Sequence, residues 1–500
     1  MKLLFGLLFI SHLYTSHYEN VLGTSLDLKV SAVSVQVSDQ AEQAVLAEIT
    51  RLSNVLSGYD PNSEFSHWMH TRNKAIPVSP DLYDVLELFD GWRLRTNGAL
   101  DASAEVITRV WKRAATRGSL PTETELDSAI EKVRQQHWLL DPKAGTATHL
   151  SDAPLILNSF AKSYIIRHAA DAALAVAGVS GIVVNIGGDL VVAGDWREPV
   201  WVSDPRADAE NDEPVCRLAI HDRAVATSGN YRRGELIAGH WYSHIVDPRT
   251  GQPAEDILSA TVVAPNATDA GALATAFNVL SPDESERLAS TIPGVDYLII
   301  TRDGRRLESK GWAALEQAEK DNGPGEAKAS AQPGSREAKA GAGRDARATA
   351  PANFELVVNL EIALQKQGFA KRPYVAVWVE DENHAPVRTI AVWHGGDRYL
   401  PELRSWYLKY RGMYTGDKNF NASITSATRS PGKYTVKWDG LDDHGSPVKP
   451  GKYILKIEAA REHGTYQLMR QEIVCDDTPK KIDLTGNVEI TAASLDYRKK

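Results

Sequence analysis

Two periods of apolar and polar residues run along this chain. In QAEQAVLAEITRLSNVL (40–56) the apolar positions recur at helical spacing, and the run ends near Gly58. LYDVLELFDGWRLRT (82–96) predicts a second helix. PLILNSFAKSYIIRHAADAALAVAG (154–178) predicts an apolar strand that passes into a long amphipathic helix. GIVVNIGGDLVVAG (181–194) reads as strand, glycine turn and strand. TDAGALATAFNVLS (268–281) predicts a helix with Thr268 or Asp269 as its N-cap, and VDYLIIT (295–301) a buried strand. Helices laid over a largely antiparallel sheet give an α+β fold class.

Beyond residue 353 the period changes to two. FELVVNLEIAL, PYVAVWVEDE, TIAVWHGG, GKYTVKWDG, GKYILKIEAA and QEIVCDD alternate apolar and polar positions between turn residues, which predicts an all-β sandwich over 354–498. Between the two patterns, Glu316 to Asn353 contains no Val, Ile, Leu, Met or aromatic residue. Such a segment cannot bury enough apolar surface to offset its ordering entropy, so an Ala/Gly-rich flexible linker is expected over 313–353. A first domain over 18–312 remains, and 500 residues suffice for two separate cores.

Composition narrows the function classes. A formal net charge of −9 and the lack of a long basic run argue against nucleic acid as the main partner. The two cysteines, Cys216 and Cys475, fall in different domains, so no disulfide framework follows. The first residues, MKLLFGLLFISHLYTSHYEN, carry Lys2 and a short apolar run, and resemble a secretory signal peptide over 1–17. Tyr14-Thr15-Ser16 is a poor cleavage region, and an ordinary buried N-terminal segment is the alternative. Export to the periplasm, or to the outer face of the inner membrane, follows from the first reading. No stretch is long and apolar enough for a transmembrane helix.

Four stretches place polar groups beside glycine: GALDAS (98–103), NIGGDL (185–190), TSGNYRRG (227–234) and SHIVDPRTG (243–251). Glycine turns let backbone N–H groups approach an anion, and successive N–H groups form a nest. Arg232, Arg233 and Arg249 are candidates for charge-assisted bonds to phosphate, and His244 for proton transfer near neutral pH. Each stretch alone is more often an ordinary turn than a site. No Walker A, HExxH or strand-borne GxGxxG sequence is present.

Taken in order, these stretches resemble the FAD:protein FMN transferase (ApbE) family from about Val21 to Leu307. LGTSLDLKV, LSGYDPNSEFSHW, SFAKSYIIRHAADAAL and ATVVAPNATDAGALATAFNVLS complete the series. The resemblance implies cleavage of the FAD pyrophosphate, FAD being a substrate, with help from Mg²⁺ or Ca²⁺. It implies transfer of FMN to a Thr or Ser hydroxyl in the acceptor motif of a flavin-accepting protein, with release of AMP. It places His244 as general base, with Asp247 orienting its loop. It assigns Leu22, Tyr59, Leu100, Asp101, Ala102, Lys162 and Ile245 to the dinucleotide, and Ala161 and Thr275 to the metal. Arg249 stays open between a phosphate contact and a charge outside the site.

Two departures bear on the metal. The family carries Asp four residues before its threonine; here Thr275 is preceded at that spacing by Gly271. Asp269 lies six residues before Thr275, about 240° around a helix, and fits a helix cap better than a ligand. The family also reads Ala-Lys-Gly and then Asp; here Ala161-Lys162-Ser163 is followed by Arg167 in place of that Asp. Arg167 either binds phosphate or marks lost activity. The rival readings are an FAD pyrophosphatase and a flavin-binding scaffold without turnover.

In the second domain, residues 432–464 resemble an Ig-like β-sandwich unit, and the whole region an uncharacterised domain found joined to these transferases. Trp438 is expected in its core. Asp439, Asp442 and Asp443 read as a solvated turn rather than a calcium site, since they lack EF-hand spacing. Docking of the acceptor protein is the role expected for this domain.

Overall fold

The computed structural model describes residues 11–316 and 354–499, apart from 208, 210–211, 213, 231–232, 364–371, 395–396, 417–424, 427, 430, 462–464 and 477. The first ten residues, the linker from 317 and Arg232 lie outside the described residues. Two units make up the chain, one built from the elements before residue 317 and one from those after 353.

An eight-stranded antiparallel sheet organises the first unit. Its strands are β1 (His12–Val21), β2 (Thr24–Ala32), β6 (Val179–Ile186), β7 (Asp189–Val202), β8 (Cys216–Gly229), β11 (Ile257–Ala264), β12 (Asp296–Thr301) and β13 (Arg306–Glu308), and that is also their order across the sheet. β3 (Ala75–Pro77), β4 (Trp138–Asp141) and β5 (Thr146–His149) form a small side sheet. β9 (Gly234–Ile237) and β10 (His240–Ser243) form a separate hairpin. The leader expected over 1–17 overlaps β1: His12 to His17 pair with Ala32 to Asp27 at the sheet edge.

The helices are α1 (Val35–Leu56), α2 (Glu64–Met69), α3 (Pro80–Arg95), α4 (Glu105–Arg117), α5 (Glu123–Val133), α6 (Ala161–Leu174), α7 (Ala267–Phe277) and α8 (Pro282–Ser290). One face of the sheet and its helices share a core that includes Leu28, Val45, Phe89, Phe160, Ile166 and Phe277. Trp312, Val192, Leu218 and Ile300 fill a second core, which also takes Val183, Val263 and Leu298 from the sheet. β11 is buried along its whole length, as expected for a strand covered on both faces.

Two sequence expectations change. Pro154–Leu157 is not a strand: Leu155 and Leu157 are buried, and Ile156 N–H bonds only the Ala102 carbonyl. α7 is capped by Asn266, whose side chain accepts from Thr268 and Asp269 N–H at 2.7 and 3.3 Å, so neither Thr268 nor Asp269 is the cap. α4 and α5 lie in a stretch given no element from the sequence, although Val106, Ile107, Val110, Trp111 and Ala114 recur at helical spacing; α5 is fixed by a capping box between Thr122 and Glu125.

The second unit is a sandwich. β14 (Phe354–Ile362), β18 (Gly432–Trp438), β21 (Lys480–Leu484) and β22 (Ile490–Lys499) form one sheet. β15 (Tyr374–Asp381), β16 (Pro386–Trp393), β17 (Thr425–Ser426), β19 (Gly451–Ala460) and β20 (Tyr466–Cys475) form the other. Trp438 lies in the core between them, as expected, against Tyr453. An unexpected helix, α9 (Arg404–Gly416), covers the outer face of the five-stranded sheet by packing Trp406 and Tyr410 with Trp378. Backbone N–H groups satisfy the acidic turn. Asp439 accepts from Leu441 N–H, Asp442 from His444 and Ser446 N–H, and Asp443 from Thr389 N–H.

Candidate active site

Strand connections gather the first group of site residues. Leu22 and Gly23, at φ 50° and 78°, form the two-residue turn between β1 and β2. Gly187 and Gly188, at φ 59° and 94°, form the same kind of turn between β6 and β7. Positive φ at both central residues is what such a hairpin demands, and at Leu22 it stores strain. The two tips touch: a Cβ on Gly187 would lie 2.6 Å from Thr24 Cγ2, and Gly187 N–H bonds Ser25 O at 3.0 Å. Gly188 N–H is taken by Asn185 Oδ1. The glycine turn is therefore no anion nest; its N–H groups serve the fold.

The next element supplies the positive charge. α6 starts without a side-chain cap, so the positive end of its dipole is unscreened by any protein carboxylate or hydroxyl at that position. Lys162, in its first turn, pairs with Asp189 at 2.8 Å and stays part-exposed. Asp189 also accepts Thr227 N–H, which links Lys162 to β7 and β8. Just before α6, Asn158 donates to the Tyr59 hydroxyl at 2.7 Å. The Tyr59 side chain is otherwise open, with 80% of the residue exposed. An aromatic face left in water beside a cationic helix end is a platform for a planar ring. Thr275 on α7 donates its hydroxyl to Ser159 O at 3.2 Å, so α7 closes on the same turn.

A second group surrounds the 98–103 turn. α3 ends in Asn97 and Gly98, both at positive φ, and the chain turns inward. Asp101, 5% exposed, accepts from Ser103 N–H and Oγ at 2.8 and 2.6 Å and pairs with Arg93 at 2.8 Å. Leu100 and Ala102 are buried as well; Leu100 N–H bonds Thr96 Oγ1, and Ala102 O accepts from Ile156. Leu100 and Ala102 thus pack into the core and hold the turn, whereas Asp101 holds it through Arg93 and Ser103 and also reaches the cleft beside it. The outer side of the turn borders a cleft of about 540 Å³ lined by Arg93, Asn97, Gly98, Asp101, Pro248 and Arg249.

SHIVDPRTG follows β10. His244 is exposed, and its Nδ1 and backbone N–H both meet Arg233 O, at 3.0 and 3.2 Å. That contact fixes Nδ1 as the protonated nitrogen and leaves Nε2 as the acceptor. Desolvation within the loop, with the Arg233 and Lys112 charges, pushes the imidazole below its ordinary value. Ile245 is half-buried and anchored by Ser243 Oγ and Ala254 N–H. Asp247 does not touch His244. It grips Arg249 through both oxygens, at 2.9 to 3.1 Å, and accepts Arg249 N–H. Arg249 continues to Glu284 at 3.0 Å. Both its partners are acidic, so Arg249 is a brace between loop and α8, and Asp247 orders the turn.

The remaining charges point elsewhere. Arg167 pairs with Asp171 one turn along α6 at 2.6 Å and remains part-exposed. Asp269 lines a separate cleft of about 720 Å³ with Arg95, Glu284 and Arg287. Desolvation raises its pKa, and Arg95 opposes the rise.

Residues 159–163 and 271–275 do not fit a resident divalent cation. Their oxygens are carbonyls and hydroxyls. The carboxylate on α7 is in the other cleft, and Asp189 is spent on Lys162. Among the described residues no group of three or more His, Cys, Asp or Glu could hold a metal. A hard dication held by neutral oxygens alone lacks the charge compensation that such sites require.

Known proteins resemble both units. Residues 355–492 match the family described as predicted periplasmic protein (DUF2271). An FAD:protein FMN transferase of Treponema pallidum is 31% identical over 328 residues, 59% of this chain and 87% of that protein. One of Salmonella typhimurium is 26% identical over 301 residues, 58% of this chain and 84% of that protein. The crystal structure of the ApbE protein of Thermotoga maritima superposes with a TM-score of 0.54 at 26% identity, covering 61% of this chain and 99% of that one. Residues 22–299, the unit that carries the hairpin tips, α6 and the His244 loop, match the ApbE family, and the chain belongs to it.

Proposed function

We propose that the first unit is an FAD:protein FMN transferase. It moves FMN from FAD to a Thr or Ser hydroxyl of an acceptor protein and releases AMP. One observation carries the assignment of the site: the uncapped start of α6, with Lys162 in its first turn, lies beside an open Tyr59 ring tied to the same turn by Asn158. A helix N-terminus with a lysine suits a diphosphate, and the ring suits a flavin. The names of the relatives support the same chemistry.

In this reading His244 Nε2 accepts the proton of the acceptor hydroxyl. The hydroxyl oxygen bonds to the phosphorus of the FMN half. The bond from that phosphorus to the bridging oxygen breaks, and AMP leaves with the electron pair. The neutral form of the imidazole is the competent one, and its lowered pKa keeps it neutral at physiological pH. Lys162 offsets charge on the diphosphate, and Tyr59 and Leu22 hold the isoalloxazine. The acceptor motif, and work outside the cytoplasm alongside a domain of periplasmic type, are part of the proposal.

The test is incubation of the full chain with FAD, excess Mg²⁺ and a peptide bearing a Ser/Thr flavin-acceptor motif. AMP and FMN-peptide are expected in equal amounts. AMP with free FMN would make the protein a pyrophosphatase, and unchanged FAD would make it a binding protein.

A further inference from the structure

Gly271 is the feature that the fold leaves unexplained. It sits in the interior of α7, where glycine is disfavoured relative to alanine. No positive φ demands it, since its backbone is helical. Its neighbours supply the reason. A Cβ at 271 would collide with the Ser163 hydroxyl, lie 3.1 Å from Ser163 Cβ and lie 3.4 Å from Phe160 Cα. Ser163 is buried at 3% exposure and cannot swing into solvent without reopening the α6–α7 contact. Residues 163 and 271 are therefore one packing unit: a side chain at either position takes the space of the other.

We propose that Ser163 and Gly271 are a reciprocal exchange that closes the protein's own cation cradle, so that a divalent cation enters only with the phosphates of the bound dinucleotide. Residue 271 stands one turn before Thr275 and faces the same 159–163 turn. A carboxylate borne there would complete a set with Thr275 and the carbonyls of that turn. The Ser163 side chain occupies the space where such a carboxylate would have to begin. Gly271→Asp alone consequently overpacks the interface instead of creating a ligand. This inference rests on the transferase reading for the identity of the dinucleotide, but its test does not require transfer.

The experiment is a Mn²⁺ titration of the full chain, with bound and free ion separated by electron paramagnetic resonance, first without and then with FAD. Wild type is expected to show no saturable Mn²⁺ binding alone and one bound ion once FAD is present. Ser163→Gly with Gly271→Asp is expected to bind one Mn²⁺ without FAD, at least about tenfold more tightly than wild type, because it adds an anionic oxygen to the set. In thermal melts Gly271→Asp is expected to lose several degrees, as overpacked sites do, and the double variant to regain most of the loss. Stoichiometric Mn²⁺ binding by wild type without FAD would overturn the proposal. So would a Gly271→Asp protein that melts with wild type, or a double variant that fails to bind or to recover. FAD that binds without recruiting Mn²⁺ would also overturn it, whereas FAD that does not bind at all would instead defeat the transferase reading.

Discussion

The two units treat charge in opposite ways. In the second, the buried charges close on one another. Glu380, fully buried, meets Lys456 at 2.5 Å and Lys409 at 3.0 Å and accepts from Trp378 Nε1. Glu489 takes Arg461 through both oxygens, and Glu458 accepts the N–H groups of Ser405 and Trp406. In the first unit, Lys162, Tyr59 and His244 each have a partner yet keep a surface toward solvent. A charge buried with complete partners specifies a fold. A charge with one partner and an open side is available to a ligand. The open side chains of the first unit are those that the transferase reading uses, while its buried Asp101, paired with Arg93, serves the fold as the pairs of the second unit do.

The contrast can be broken at four places. The largest effect is expected at His244. His244→Ala should lower transfer on the order of 10² to 10⁴-fold while FAD affinity stays near wild type, as removal of a general base does; steady-state rates and equilibrium FAD binding check it. Because the folded imidazole titrates below its ordinary 6.5, transfer should hold as pH falls past 6.5 and fail only lower, and the acid limb should disappear in the variant. The same sign applies to stability. The unfolded chain binds that proton more readily, so acid weakens the fold through this group.

Next is the closed network of the second unit. Lys456→Ala leaves Glu380 buried with one fewer partner and should cost about 3–5 kcal/mol in that unit, read by denaturant unfolding, with FAD binding untouched. A loss below about 1 kcal/mol would mean that the network is not closed as described. At the open site, Lys162→Ala should weaken FAD binding by about 1–3 kcal/mol, read by fluorescence titration, with little change in melting temperature. A large loss of stability with unchanged FAD affinity would assign Lys162 to the fold.

The smallest effect concerns Asp443, which desolvation raises to about 6. The folded state holds this proton more tightly than the unfolded chain. Its stabilising contribution is therefore present in acid and lost as pH rises toward about 6. Asp443→Asn keeps an oxygen acceptor for Thr389 N–H, so it should melt higher than wild type at neutral pH and lose that advantage near pH 4. Thermal melts across this range test the sign.

Much of this was legible in the sequence, and the residues show why the rest was not. The long amphipathic helices and the glycine hairpin at 187–188 carry local signals: helical spacing in one case, a demand for positive φ in the other. Family resemblance supplied His244, Tyr59, Lys162 and Thr275. It gave Asp247 the ordering of its loop but not the route through Arg249, nor the pairing of Asp101 with Arg93, because both depend on contacts set by the turn. α9 was missed although YVAVWV (374–379) is apolar at every position, the signal of a strand covered on both faces, because the polar residues between the apolar positions of 404–416 give its own helix no strong local signal. The Ser163–Gly271 pair lay beyond any local reading. The two residues stand far apart in sequence, and each alone looks like a lost motif position.

A crystal structure of the full chain with FAD tests the central claim most directly. The account predicts a diphosphate at the start of α6 within reach of Lys162, the isoalloxazine against Tyr59, and the phosphorus of the FMN half open to a hydroxyl approaching from His244. A dinucleotide seated instead in the cleft beside Arg93 and Arg249, or in that beside Arg95 and Asp269, would contradict it.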